Sequence, residues 1–267
     1  MKNTFSISEV IQTGLNTTVA NFGVLFLAQL TAIIVFLLVA LSLATVSFLM
    51  IGLRAAGTGY VVIGITALCG LLVYAGIKLG YITLILNAHD KRNPRVSSIF
   101  SKIGKGYALI IYWIITLILL SLPVMLYFLA ISGYLSVIFH TFYKIVNLVI
   151  SLVPQEKQSL VTFALEIAGF AIAVIAVGTF VLGSISRLIF TPYILADKNE
   201  GLLHAYSTSW HITKGNTIKI VLLLLPLGLL KLLGYAIIFA RFLTSPWVKL
   251  SLAHVYRQLS TSNSRNN

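Results

Sequence analysis

Four ionisable side chains stand where this sequence can least accommodate charge. Lys78, Glu166, Lys231 and Lys249 interrupt long apolar runs in a chain of 267 residues, 58% hydrophobic and only 9% charged. An ionised group in hydrocarbon is costly, so it is kept where it pairs, lines a polar cavity or reaches an interface. At about 1.5 Å of helix per residue, Glu166 and Lys231 come to matching depths in the outer third of their runs. Their opposite signs make them the candidate structural ion pair. Lys78 and Lys249 lie about 12–15 Å from the inner boundary, with no acid at that depth. They are the candidate ligand-binding residues, suited to an anionic headgroup or solute. The competing reading is that both lysines snorkel toward the nearer interface.

A second set of chemically able residues gathers outside the apolar runs. His89, His204, His211 and His254 fall on one side of the predicted topology together with Asp90, Asp197 and Glu200. A metal-dependent hydrolase would want such a cluster. No two of them show the tight His-x-x-x-His or His-Glu spacing of a metal motif, so no metal or other cofactor is expected. Gly183-Ser-Ile-Ser186 lacks the second glycine of a nucleophile elbow, and no phosphate loop occurs. No catalytic residue is assigned, and the expectation is a protein that is not an enzyme.

The elements that carry these residues follow from length and hydropathy. About 20 apolar residues cross a hydrocarbon core, and six stretches qualify: about 22–53, 60–87, 107–131, 159–188, 217–235 and 239–257. The fold class expected is all-α, a polytopic integral membrane protein in a single membrane domain, 1–267. Pro123, Pro192, Pro226 and Pro246, in or beside spans, could open helices around a cavity or act as kinks. Three amphipathic segments, 6–21, 95–104 and 200–214, each precede a span and read as inner interfacial helices, so the chain divides into three interfacial-helix-plus-hairpin units. In the first, Ile7, Val10, Ile11 and Leu15 share a face behind a Ser6-x-x-Glu9 capping box. In the second, Val96, Ile99, Phe100 and Ile103 do so. In the third, Leu203, Tyr206, Trp210 and Thr213 form the anchoring face, and Ser209 is placed on the tolerant one. A further stretch, about 134–153, has the pattern of an outer interfacial helix.

Charge sets the orientation. With the N-terminus inside, twelve Lys and Arg fall on the inner side, and four, Arg54, Lys144, Lys157 and Arg241, on the outer. That asymmetry predicts six spans with both termini cytoplasmic. It also accounts for the net charge of +13 without nucleic acid; the partners expected are membrane lipids, anionic ones included. The single cysteine, Cys69, lies in an apolar run and supports neither a disulfide nor a thiolate cluster. Met1–Thr18 is polar, and no cleaved secretory signal is read from it.

Two stretches carry a family likeness. One is Gly80-Tyr-Ile-Thr-Leu-Ile-Leu-Asn-Ala-His-Asp-Lys-Arg-Asn-Pro94, running on to Ile99-Phe100. The other is Thr191-Pro-Tyr-Ile-Leu-Ala-Asp197, Ala205-Tyr-Ser-Thr-Ser-Trp210 and Thr213-Lys-Gly215, with Pro246 and Ala253-His-Val-Tyr-Arg257 beyond. Together they resemble the bacterial multi-pass family that includes the membrane domain of some glycerophosphoryl diester phosphodiesterases and the YciC-like integral membrane proteins. The resemblance implies a stand-alone membrane domain in a bacterial cytoplasmic membrane. It carries no phosphodiesterase activity, because six spans leave no room for a catalytic barrel. Two function classes follow: a non-catalytic protein of envelope or lipid homeostasis, or a small-solute or lipid transporter using the Lys78 and Lys249 region. Within the motifs, Asp197 and Glu200 are expected at a helix start, where the dipole favours carboxylates. Gly215 is expected at a helix end, and Tyr256-Arg257 as an interfacial stop.

Overall fold

In the computed structural model, residues 5–52, 56–131, 144, 151, 155–198, 200–237 and 239–264 are described. Among them every regular element is helical, with no strand. The helices are α1 (Ile7–Ala20), α2 (Phe22–Gly52), α3 (Ala56–His89), α4 (Gly106–Ile131), α5 (Gln155–Leu188), α6 (Thr191–Asp197), α7 (Leu202–Thr213), α8 (Thr217–Ala236) and α9 (Arg241–Ser264). Among the described residues, five segments are long and apolar enough to cross a membrane: Phe22–Leu49, Gly59–His89, Val96–Pro123, Val174–Asp197 and Thr217–Ala236. Their outward faces are apolar, with Phe36, Leu41, Leu117, Ile175 and Leu229 exposed. In water that surface would be a liability; in lipid it is the solvated one. The sixth expected span is the helix α9, which is 24 residues long and interrupted by Arg241, Lys249 and Arg257. Lys249 and Arg257 are partly sheltered by protein while Arg241 is exposed, and the helix packs against α1, α2, α3, α7 and α8.

The chain folds as two compact units, Met1–Trp113 with Ser186–Asn267, and Ile114–Ile185. The first holds the core, built from Leu25, Leu79, Leu84, Ile85, Ile99, Ile194, Leu223 and Leu250. Among the described residues the second holds the remaining parts of α4 and α5, whose side chains Leu117, Ile118, Ile172 and Ile175 are exposed.

Close approach between backbones decides how the interfacial segments dock. Segment 95–104 is not an α-helix: it forms two short 3₁₀ turns, Val96–Phe100 and Ile103–Lys105. Both lie across α3, where Gly76 and Gly80 meet the backbones of Ile103 and Ile99 so closely that a Cβ would collide. Ile99 is buried there while Phe100 and Ile103 stay exposed. Helix α1 packs much of its expected face, Val10 with Ile7 and Ile11, against the core. It turns Val10, Gly14 and Thr18 inward, and Gly14 lies against Ser251 of α9 with no room for a side chain. The Trp247 Nε1–H donates to the Ile11 carbonyl at 2.9 Å and locks the pair. The segment is therefore a packed bundle element as well as a lead-in to α2.

Helix α7 buries Ala205, Ser209, Ile212 and Thr213. Leu203 and Trp210 face outward as expected, but Thr213 does not, and Ser209 is fully buried with its hydroxyl donating to the Arg187 carbonyl at 2.6 Å. Trp210 covers the Arg187 guanidinium at 4.1 Å, a cation–π contact. Gly215 follows with φ of +85°, the left-handed C′ geometry anticipated for it. The outer helix expected over about 134–153 lies outside the described residues, Lys144 and Ser151 apart.

Candidate functional site

Two polar features stand in the first unit. The first is a cavity of about 530 Å³ between α2, α3 and α9. Period-3.6 spacing puts Tyr74, Lys78 and Tyr81 on one face of α3, and Arg241, Ser245 and Lys249 on one face of α9. Both predicted ligand-binding lysines, Lys78 and Lys249, line this one cavity. Arg241, by sequence only an outer-side charge, joins them. Each cation rests on an aromatic ring: Lys249 Nζ over Tyr81 at 4.1 Å, Lys78 Nζ over Tyr74 at 5.2 Å, and Arg241 over Tyr235 at 5.2 Å. No acidic side chain among the described residues lines the cavity, and none of the described ion pairs includes these three cations. Gln29 holds the wall together, donating to the Tyr81 hydroxyl at 3.1 Å and the Phe242 carbonyl at 3.2 Å. On the α2 side, Ile33, Phe36 and Leu37 line the cavity and are themselves exposed.

The other half of the predicted charge set has a different outcome. Lys231 is exposed on α8. The Glu166 side chain lies outside the described residues, so the Glu166–Lys231 pair has no geometry on which to rest.

The second feature is a polar clamp that joins three distant sequence stretches. The chain has only two aspartates, Asp90 and Asp197, and Arg257 grips both. Its Nε and Nη2 donate to Asp90 at 3.0 and 2.6 Å, and its Nη1 and Nη2 donate to Asp197 at 2.6 and 3.0 Å. The Tyr256 hydroxyl donates to Asp197 at 2.9 Å. On the far side of Asp90 runs a line of hydrogen bonds. Gln258 Nε2 donates to His254 Nε2 at 3.0 Å, His254 Nδ1 to His89 Nε2 at 3.0 Å, and His89 Nδ1 to Asp90 at 3.2 Å. That assignment, chosen to complete the network, leaves one proton on each imidazole.

Local backbone chemistry aims these groups. A Schellman-type end closes α3, with Arg92 N–H on the Asn87 carbonyl at 2.9 Å, Lys91 N–H on that of Ala88 at 3.4 Å, and Lys91 at φ 57°. This turns Asp90 toward α9. Pro192 opens α6 in its first turn, and the packed rings of Phe190, Tyr193 and Tyr256 seat it. Asp197 is consequently the last residue of α6 rather than a residue at the start of α7. Tyr256 and Arg257 do more than stop a span: they cross-link three helices. Topology alone groups His89, His254, Asp90 and Asp197 on one side, and nothing in their spacing pairs them with Arg257. The scarcity of aspartate was the available signal, since each buried arginine needs an anion.

No protein-family model, no curated protein and no solved structure matches the chain. Fold and composition define its class: a helical, multi-pass membrane protein.

Proposed function

We propose that this is a non-catalytic multi-pass membrane protein of the cell envelope, with a role in lipid homeostasis, that binds an anionic group in the Lys78–Arg241–Lys249 cavity. The observation that carries the reading is three cations facing one cavity that no described acid lines. Uncompensated charge in a low-dielectric site is costly, and an anionic ligand is the natural complement. The cavity volume falls in the range of small-ligand sites, about 300–1,000 Å³. Its apolar α2 wall favours a lipid over a wholly hydrated solute. The resemblance to the bacterial family of YciC-like proteins belongs to the same proposal, as does a bacterial cytoplasmic membrane with both termini inside. The convergence of the ends of α3 and α6 on Arg257 of α9 supports the topology, because Asp90, Asp197 and Arg257 were all expected on the cytoplasmic side.

The test is lipid retention. Full-length protein purified in mild detergent should carry anionic lipid in native mass spectrometry, and Lys78→Met with Lys249→Met should lose it while remaining folded. Unchanged retention in that variant would refute the site. Saturable counterflow of a solute in proteoliposomes, abolished by the same pair, would instead make the protein a transporter.

A further inference from the structure

The charge count of the cavity narrows the ligand further, on the footing of the anion-binding reading above. We propose that the ligand is an amphiphile whose headgroup carries two or more negative charges: a phosphate monoester or diphosphate on an apolar tail.

Three observations support this. The first is stoichiometry: Lys78, Lys249 and Arg241 put three basic side chains on one cavity, and no described acidic side chain lines it. A singly charged phosphodiester would leave two of them without an anion. A monoester carries about −1.5 to −2 at neutral pH, and a diphosphate more. In a site of low effective dielectric each additional cation–anion pair adds a large attractive increment, so selectivity by charge number is steep. The second is the donor set. Arg241 presents the planar fork that suits phosphate oxygens bidentately, whereas the lysines act as point charges. Rotatable ammonium groups beside one fork fit several tetrahedral oxygens better than a single planar carboxylate. The third is the wall opposite the cations, where Ile33, Phe36 and Leu37 are at once cavity-lining and exposed. Such residues offer an apolar tail a continuous path from the cavity to surrounding lipid. The aromatic faces of Tyr81 and Tyr74 hold Lys249 and Lys78 in place, so the donor set is arranged before the ligand arrives.

The experiment compares three probes on the full chain in detergent near neutral pH. They are phosphatidic acid, phosphatidylglycerol with the same acyl chains, and inorganic diphosphate, with binding titrated by native mass spectrometry or tryptophan fluorescence. Phosphatidic acid should bind at least about tenfold tighter than phosphatidylglycerol, one decade of affinity being the smallest gap that a full extra charge pair should leave. Inorganic diphosphate, lacking a tail, should bind more weakly than phosphatidic acid. Lys249→Met should collapse the preference between the two lipids, and Lys249→Arg should keep it, which separates loss of charge from loss of fold. Equal affinity for both lipids, still sensitive to Lys249→Met, would overturn the charge-number inference and leave the anion site standing. Diphosphate binding as tight as phosphatidic acid would overturn the amphiphile. Lipid binding indifferent to every cavity substitution would overturn the site itself.

Discussion

Replacing Arg257 by Met removes the one cation that two carboxylates share, and the consequence can be worked from the clamp. Four N–H···O contacts of 2.6–3.0 Å are lost, while Asp90 keeps His89 and Asp197 keeps Tyr256. Removing one partner of a fully buried ion pair costs about 3–5 kcal/mol. Here Asp90, Asp197 and Arg257 are 14%, 21% and 24% exposed, so water screens part of the loss and the lower end applies. About 3 kcal/mol corresponds to a fall in melting temperature on the order of 6–12 °C for a chain of this size. The measurement is thermal unfolding of detergent-solubilised protein followed by intrinsic fluorescence. Arg257→Lys should lose about half as much, because an ammonium cannot fork to two carboxylates at once. Adding Asp90→Asn and Asp197→Asn to Arg257→Met should restore a good part of the stability, because the stranded charges then disappear. A melting temperature unchanged by Arg257→Met, or a triple variant no better than the single one, would refute the clamp as the device that joins α3, α6 and α9.

Other outcomes follow from the packing and the charge asymmetry. Gly80→Val should prevent the 3₁₀ segment from docking on α3, since its Cβ would strike the Ile99 backbone, and limited proteolysis should then open the chain between residues 90 and 105. Gly14→Leu should release α1 from α9 in the same way, and an unchanged protection pattern would count against that contact. Lys91→Gly should be tolerated or stabilise by up to about 1 kcal/mol, because Lys91 holds a left-handed conformation; marked destabilisation would contradict the Schellman end. In a Cys69→Ala background, cysteine at Lys144 should react with an impermeant thiol reagent from outside, whereas cysteine at Asn93 should not; reversed labelling would overturn the orientation. Ser209→Glu should destabilise by several kcal/mol, as expected of an unpaired buried charge, while Trp210→Glu should chiefly weaken anchoring of α7; equal tolerance of both would refute the packing of that helix.

The helices were legible in the sequence because hydrophobicity is a local property. Phe22–Gly52, Gly106–Ile131 and Thr217–Ala236 end close to where their apolar runs end, since nothing but an intact helix satisfies the backbone in lipid. Lys78 and Lys249 could be singled out for the same reason: a charge inside such a run is conspicuous whatever its surroundings. Which side chains meet is not local. Ser209 looked like a position that tolerates charge because an isolated helix shows its periodicity and not its neighbours. Only the approach of α5 made the Arg187 carbonyl its partner. Arg241 counted as one more basic residue at a span end until α9 turned it into the Lys78 and Lys249 cavity. Gly14, Gly76 and Gly80 were unremarkable glycines, because their role depends on the backbone that arrives within contact of them. Asp90, Asp197 and Arg257 are separated by more than a hundred residues at the widest, and no periodicity links them. Their pairing was decided by the tertiary structure, which brings the ends of α3 and α6 to the flank of α9, where a largely buried guanidinium needs anions to offset its desolvation.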